Sequence, residues 1–376
     1  MIYSFQTKQH HNHQRKSGLL QRLHIDFTLF ILLVSLSSIG VLILTSSGQE
    51  DVGLLQRQVT RLGISFFVML IVAQIPPHIF KMFTPWLFLL GILLLLGVLF
   101  AGDVGKGAQR WLDLGFFRFQ PSELLKIATP MMIAWYLAEK RLPPSPKHIV
   151  FATIFIAIPT VLIAKQPDLG TSILIASSGI AALFLAGISW RLILGVITVG
   201  TALTPVLWGF MKDYQKQRVL TFLNPENDPL GTGYHIIQSK IAIGSGGLYG
   251  KGWMNGSQAR LEFLPESSTD FIFAVFSEEF GLIGCIALLT IYLLIFIRST
   301  YIAIQAQDTF CRLLAGSLAL TFFVYLFVNV GMVTGILPVV GIPLPLVSYG
   351  GTSMVTLLIG FGILMSIHTH RKLFLS

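Results

Sequence analysis

The chain has 376 residues, of which 53% are hydrophobic and only 11% are charged, with a formal net charge of +9 at pH 7. Soluble domains are also about half apolar, but about 25% of their residues are charged, so the missing charge excludes an ordinary soluble protein. Successive apolar runs, each long enough to cross a hydrocarbon core of about 30 Å, predict an all-α polytopic membrane protein.

The apolar runs predict about ten transmembrane helices. Their predicted ranges are 27–47, 62–80, 84–101, 122–138, 149–164, 171–187, 192–210, 271–297, 313–336 and 351–367. One long loop, at about 212–270, separates the seventh span from the eighth. The chain therefore divides into a basic N-terminal tail (1–25), a transmembrane domain (26–368) that includes this loop, and a short C-terminal tail (369–376).

Lys and Arg residues in the short loops indicate the orientation. They are more numerous on the side of the N-terminus, which predicts that both termini lie in the cytoplasm and that the long loop lies on the outer face. That loop is also basic, against the orientation rule. An anionic ligand held there would explain the charge, although long loops also cross membranes regardless of their charge.

The fourth span begins with a polar segment, "GKGAQRWLDLGFFRFQPSELLKIA". Pro121 and Glu123 are typical of a helix start, and Lys126 follows about one turn into the membrane. An intramembrane lysine is a functional hypothesis by default. The alternatives are a structural ion pair with Glu123 or a side chain that reaches back to the interface. Arg110 lies in the preceding loop and is a further candidate for binding an anion.

Two further candidates lie near the outer ends of spans. "KQPDLGTS" places Asp168 between the fifth and sixth spans, where it is either a helix N-cap or part of a functional cluster. In the long loop, "GSGGLYGKGW" contains Lys251 and is rich in glycine, as are loops whose backbone N–H groups approach phosphate. It lacks the spacing of a nucleotide P-loop, so ATP binding is not indicated. Arg218 adds another cation to this loop.

The stretch "SSTDFIFAVFSEEFG" opens the eighth span with Asp270 at its edge and Glu278 and Glu279 deeper. At 1.5 Å per residue, the two glutamates lie about 12 Å and more below Asp270, too deep to act on a sugar at the surface. They are therefore interpreted as cavity-lining or interhelical hydrogen-bonding groups. "GIPLPLVSYGGTS", which contains Ser348, predicts irregular backbone beside a wet cavity. These features predict an outward-facing, partly basic cleft suited to an anionic lipid-linked substrate. The same features would also suit a transporter or a flippase.

At these residues the chain resembles the SEDS family (shape, elongation, division and sporulation). The matching motifs run in order over nearly the whole chain: "KGAQRWLDLG", "FQPSELLKIA", "QPDLGTS", "DPLGTGYHIIQSKIAIGSGGLYGKGW", "LEFLPESSTDFIFAVFSEEFG" and "GILPVVGIPLPLVSYGG". The resemblance implies a peptidoglycan glycosyltransferase of the bacterial inner membrane that polymerises lipid II into β-1,4-linked glycan strands during cell elongation. It also implies a class B penicillin-binding protein as partner, and no nucleic acid.

The resemblance places the family's essential aspartate on Asp270, which we expect to act as the general base. It places polar residues of the central cavity on Glu123, Lys126 and Asp168. Undecaprenyl pyrophosphate leaves in this reaction, and its charge needs cations or a divalent metal held by carboxylates. The further residues predicted to bind substrate are Arg110, Arg218, Lys251 and Ser348. The alternative functions are a lipid II flippase and a scaffold for the crosslinking partner.

Overall fold

The computed structural model describes residues 24–48, 51–101, 103–105, 108–113, 118–211, 213–228, 231–261, 263–264 and 266–370. Most of the predicted N-terminal tail and of the predicted C-terminal tail lies outside the described residues. The transmembrane domain predicted at 26–368 lies almost wholly within them.

The described residues are mostly helical. The helices are α1 (Phe27–Ser47), α2 (Val52–Gln74), α3 (Pro77–Ala101), α4 (Pro121–Ala138), α5 (Pro146–Lys165), α6 (Leu169–Leu185), α7 (Trp190–Phe210), α8 (Asp213–Leu223), α9 (Thr232–Gly246), α10 (Ser257–Arg260), α11 (Ile272–Ile304), α12 (Thr309–Val333) and α13 (Thr352–Thr369). A 3-10 turn, Pro225–Asn227, lies between α8 and α9. Three short antiparallel strands join α3 to α4 in the order β1 (Asp103–Gly105), β2 (Ala108–Asp113) and β3 (Arg118–Phe119).

A helix lies over each of the ten predicted spans. Within the described residues, seven of them are long and apolar enough to cross a membrane, namely α1, α2, α3, α5, α11, α12 and α13. The helical, multi-pass architecture is confirmed, whereas the count of ten spans stays a prediction. One predicted boundary, the span 62–80, is wrong. The helix there ends at Gln74, because the residue before a proline is forced out of helical geometry, and Ile75 is extended, with ψ of 122°.

α12 and α13 form the centre of the bundle. The apolar stretches of these two helices are 61% and 56% buried, against 22–39% for those of the other candidate spans. α12 packs against α4, α6 and α11, and α13 packs along α2. Polar side chains on α12 and α4 therefore face protein rather than lipid, which is where intramembrane polar groups are found.

The segment predicted as a long loop has helical structure of its own. α9 packs along α11, and the approach is close, since a Cβ on Gly246 would lie 2.1 Å from the carbonyl oxygen of Ser277. The hydroxyl of Ser239 donates to the carbonyl of Val333 at the end of α12, 2.8 Å away. α9 is thus held against both helices.

The predicted eighth span is not a continuous helix. Gly281 interrupts α11 with φ of 63° and ψ of −164°. A Cβ there would lie 2.3 Å from the backbone nitrogen of Gly250, so glycine is required for the close approach. Four backbone hydrogen bonds of 3.0–3.2 Å join the interrupted helix to residues 247–252: Lys251 N to Glu278 O, Gly252 N to Glu279 O, Leu282 N to Gly247 O, and Ile283 N to Leu248 O.

These bonds give the glycine-rich segment a structural role. The N–H groups of Lys251 and Gly252 already donate to carbonyls of α11, and that of Gly250 donates to Gly246. These three N–H groups are therefore not available to approach a phosphate. The segment instead satisfies the backbone groups that the helix interruption leaves without intrahelical partners.

Candidate active site at the helix ends

Asp270 is half-buried and lies two residues before the first residue of α11. The N-cap position of that helix is Phe271, which makes no side-chain cap, so Asp270 does not occupy the N-cap position. The carbonyl oxygen of Asp270 accepts a hydrogen bond of 2.9 Å from Nδ2 of Asn329 on α12. The main chain at Asp270 is thus anchored to the central helix.

Ser348 is hydrogen-bonded to the residue that precedes Asp270. Its hydroxyl donates to the carbonyl of Thr269 at 2.5 Å and accepts from the N–H of Leu344 at 2.8 Å, and the residue is 3% exposed. The N–H of Tyr349 donates to the carbonyl of Ser268, 2.8 Å away. These bonds show that Ser348 positions the Asp270 segment, while a direct contact with substrate stays a prediction.

Residues 340–342 lie beside the Asp270 carboxylate. Gly341 has φ of 73°, and a Cβ built on it would lie 3.5 Å from Oδ2 of Asp270. On the other side, a Cβ on Gly170 would lie 2.6 Å from the carbonyl of Val340. The irregular backbone predicted here is present, and it runs between Asp270 and the start of α6.

Glu123 and Lys126 form a buried ion pair at the start of α4. Lys126 Nζ lies 2.8 Å from Oε1 of Glu123, and the two side chains are 8% and 7% exposed. The ammonium also lies 5.5 Å from the ring centroid of Tyr325 on α12. Pro121 occupies the first turn of α4, as its sequence predicts. Lys126 thus forms the structural pair that the sequence offered as one alternative, and its functional role stays a prediction.

Asp168 joins this cluster from α6. It is the N-cap of that helix and accepts from the N–H of Thr171 at 3.2 Å, as predicted. Its Oδ2 also lies 3.3 Å from Nε2 of Gln120 and 3.6 Å from Nε of Arg110. Arg110 in addition donates to the carbonyl of Pro167 at 2.6 Å.

The four charged groups of this cluster balance. Lys126 is paired with Glu123, and Arg110 lies beside Asp168. These four groups therefore carry no net charge together, while the partly basic character of the whole cleft stays a prediction. Each cation can bind an anionic ligand only while it stays beside its carboxylate. Lys126 and Arg110 both keep further N–H donors for such a ligand.

Lys251, a predicted cation of the long loop, lies outside this cluster. Lys251 Nζ is 2.6 Å from Oε1 of Glu278, a carboxylate with no exposed surface. Glu278 also accepts from the N–H groups of Ser257 and Gln258, at 2.9 and 3.1 Å. Glu279 accepts from the hydroxyl of Ser46 on α1. The interpretation of both glutamates as hydrogen-bonding groups between elements agrees with these contacts.

Glu278→Gln is expected to destabilise the protein by about 3 kcal/mol, because it removes the charge from a buried ion pair and turns an amide N–H toward the N–H of Gln258. The check is thermal unfolding in detergent, together with limited proteolysis in residues 247–258. Lys251→Arg is the milder control, since this side chain is 32% exposed and a cation stays beside Glu278. An unchanged melting temperature and unchanged proteolysis for Glu278→Gln would contradict this assignment.

His235 on α9 stacks on Phe271, with ring centroids 5.7 Å apart. Burial lowers the pKa of His235, and the nearby charges of Glu266 and Asp228 oppose that shift only in part. The imidazole is therefore neutral at pH 7 and adds no positive charge next to Asp270. Arg218 lies on α8 and is partly exposed. The described contacts place it neither in the cluster of Glu123, Lys126, Asp168 and Arg110 nor beside Asp270.

An apolar groove of about 380 Å³ leads away from the Glu123 end of α4. It runs between α3, α4 and α13, and its walls include Phe80, Leu87, Ile127 and Val355. For the metal alternative, the part of the chain that the structure describes holds no group of three or more His, Cys, Asp or Glu residues that offers a donor set.

Sequence comparison places the chain among known proteins. The family model described as "Cell cycle protein", covering FtsW, RodA and SpoVE, matches residues 19–373. The chain belongs to the FtsW/RodA/SpoVE family. This confirms the SEDS resemblance of the motifs. Peptidoglycan glycosyltransferase MrdB of Escherichia coli K12 is 53% identical over 95% of this chain and 97% of that protein. Peptidoglycan glycosyltransferase RodA of Treponema pallidum is 33% identical over 92% of this chain and 98% of that one.

Solved structures agree with this family assignment. A chain from a peptidoglycan synthase complex, described by its coordination of polymerisation and crosslinking, is 31% identical and superimposes with a TM-score of 0.80. The match covers 91% of this chain and 97% of that chain. The rod-shape-determining protein RodA of Thermus thermophilus is 25% identical, with a TM-score of 0.70 over 92% of this chain and 98% of the other.

Sequence reasoning missed three residues of this family member's site: Gln120, Tyr325 and Asn329. Tyr325 and Asn329 lie one turn apart on α12, one beside Lys126 and the other bonded to the main chain at Asp270. The signal was available, because a polar pair at i and i+4 inside an apolar span marks a face that packs on protein or a cavity. Gln120 carried no such signal.

Proposed function

We propose that this protein is a peptidoglycan glycosyltransferase that polymerises lipid II into β-1,4-linked glycan strands at the outer face of the bacterial inner membrane during cell elongation. The observation that carries the proposal is the half-buried carboxylate of Asp270, set beside residues 340–342, which adjoin the Lys126–Asp168 cluster. The relatives named as peptidoglycan glycosyltransferases, at 53% and 33% identity, support the same reaction.

The proposed topology has ten spans, both termini in the cytoplasm and the 212–270 segment outside. In that topology the starts of α4, α6, α11 and α13 and the end of α12 all lie on the outer side. The site residues are at these ends. Lipid II in the outer leaflet would therefore present its sugars and pyrophosphate at the level of Asp270 and Lys126.

In the proposed reaction the 4-hydroxyl of the acceptor GlcNAc attacks C1 of the MurNAc that carries the pyrophosphate. The bond from the hydroxyl oxygen to C1 forms as the bond from C1 to the pyrophosphate oxygen breaks. The proton passes to the carboxylate of Asp270, and the electron pair leaves on undecaprenyl pyrophosphate. Attack from the face opposite the leaving group inverts C1, which turns an α-linked pyrophosphate into a β-1,4 bond.

The leaving pyrophosphate gains negative charge, so donors placed beside it stabilise the transition state. Lys126 and Arg110 are the cations of the described cluster, and each already lies against a carboxylate that fixes its place. A buried cation held in this way needs little reorganisation when charge develops. Arg218 and Lys251 lie outside the cluster and are secondary candidates for contacts with substrate.

The apolar groove suits the polyprenyl chain of the substrate. Its walls are aliphatic and aromatic, and its volume is about 380 Å³. Among the described residues of its lining, the only charged one is Glu123, the partner of Lys126. A lipid chain in the groove would therefore bring its pyrophosphate to the ion pair. The proposed partner is a class B penicillin-binding protein that crosslinks the strands, as the similarity to a chain of a peptidoglycan synthase complex supports.

A lipid II flippase is the second candidate, and one observation favours it. A polar cavity of about 380 Å³ lies at the opposite end of the bundle, lined by His78, Lys81, Asp308 and His370 among others. A flippase needs polar access from both leaflets. The Asp270 and Lys126 clusters, however, both lie at the other end, and the groove between the two ends is apolar.

Reconstitution in liposomes distinguishes the two functions. Fluorescent lipid II is supplied in the outer leaflet, and glycan strands and dye protected from an external quencher are both measured. We expect strands to form without transfer of lipid II to the inner leaflet, and Asp270→Asn to abolish strand formation in the same vesicles. Transfer without strand formation would support the flippase instead.

A further inference from the structure

Asn329 is a fully buried polar residue near the end of α12. Its Nδ2 group donates one hydrogen bond to the carbonyl of Asp270, at 2.9 Å, and a second to the carbonyl of Ile342, at 2.7 Å. An amide nitrogen has two protons, so both are used. Neither bond is made within the helix, and Asn329 therefore ties two separate segments to α12.

The two segments, the main chain at Asp270 and residues 341–342, both lie next to the Asp270 carboxylate. One bond goes to the carbonyl of Asp270 itself. The other goes to the residue after Gly341, whose backbone lies so close to the carboxylate that a Cβ would be 3.5 Å from Oδ2. The amide of Asn329 thus sets how far the carboxylate stands from the backbone beside it.

The same helix also fixes the cation. Tyr325 lies one turn before Asn329, and the Lys126 ammonium is 5.5 Å from its ring centroid. We propose that Asn329 is a positioning residue for glycosyl transfer, which holds Asp270 and residues 341–342 at a set place relative to Lys126. This inference rests on the proposed function, since it concerns the place of the general base.

The test replaces Asn329 with Leu, which removes both donors at similar volume, and with Gln, which keeps the amide N–H groups on a longer side chain. A misplacement of about 1 Å in a catalytic group costs about 10² in rate. We therefore expect Asn329→Leu to lower kcat for lipid II polymerisation by about 10²-fold with KM within about twofold, and Asn329→Gln to recover part of kcat.

Ser317→Ala is the matched control, because Ser317 is equally buried on α12 but bonds only within its own helix, to the carbonyl of Leu314. It should keep the wild-type rate. Rates are given per folded molecule, with folding checked by size exclusion and thermal unfolding. If Asn329→Leu lowers only the amount of folded protein and leaves kcat unchanged, the residue is merely structural and the inference is wrong.

A double-variant cycle with Asp270→Asn separates this inference from the proposed function. If Asn329 acts through Asp270, Asn329→Leu should cost no further rate once the carboxylate is gone. Equal losses in both backgrounds would overturn the inference alone. A wild-type rate for Asp270→Asn by itself would instead overturn the assignment of the base, and the inference with it.

Discussion

Asp270→Asn is expected to lower the rate of lipid II polymerisation by about 10²–10⁴-fold, the usual contribution of a positioned general base. The amide cannot accept the proton of the attacking hydroxyl, although its size is the same. The structure adds that this change removes no helix cap, since Phe271 occupies the N-cap position of α11. The main-chain bond from Asn329 to the carbonyl of residue 270 is also kept. The loss should therefore appear in the rate rather than in folding.

The measurement is glycan strand formation by the purified variant, with thermal unfolding and assembly with the transpeptidase partner measured beside it. Asp51→Asn is a matched control, because Asp51 also lies at the start of a helix but caps α2 and is well exposed. It should keep the wild-type rate. Polymerisation by Asp270→Asn at the wild-type rate would remove Asp270 from the chemistry, and a loss matched by unfolding would reduce it to a structural residue.

Local sequence signals predicted the helices and one half of the site. The helix start at Pro121 and the cap at Asp168 depend on residues within one turn, so their identity is enough to predict them. The same is true of the pair formed by Glu123 and Lys126, three residues apart on one helix face. The family motifs then indicated which of these residues belong to one site.

The other half of the site depends on contacts between distant segments. Asn329 reaches Asp270 across 59 residues, and Lys251 reaches Glu278 across 27. A polar residue in an apolar run indicates that it has a partner, but the run does not say which. The interruption of α11 at Gly281 is similar, since it is stabilised by the glycine-rich segment at residues 247–252 and a single glycine inside an apolar run only weakly predicts it.

Lys126→Met is expected to lower polymerisation by about 10²–10³-fold, the range seen when one donor to a developing oxyanion is lost. It should also destabilise the protein. Glu123 would remain buried without its cation, and breaking a buried pair in this way costs about 3–5 kcal/mol. The single variant thus combines two effects, loss of a cation for the leaving pyrophosphate and loss of a structural pair.

The double variant Glu123→Met/Lys126→Met separates the two effects. It removes both charges together, so no unpaired charge stays buried, and replacing a whole buried pair is often close to neutral for stability. We expect its unfolding temperature to return toward the wild-type value while polymerisation stays about 10²-fold low, because the pyrophosphate still lacks its cation. Both are measured on the same purified samples, by thermal unfolding and by strand formation from lipid II.

The two outcomes assign Lys126 to different roles. If the double variant recovers stability but not polymerisation, the ammonium acts on the substrate, and Glu123 serves to hold it at the end of the apolar groove. If polymerisation returns together with stability, the pair only supports the fold, and the positive charge for the leaving group must come from Arg110 beside Asp168. Arg110→Gln would then be the variant that loses the rate.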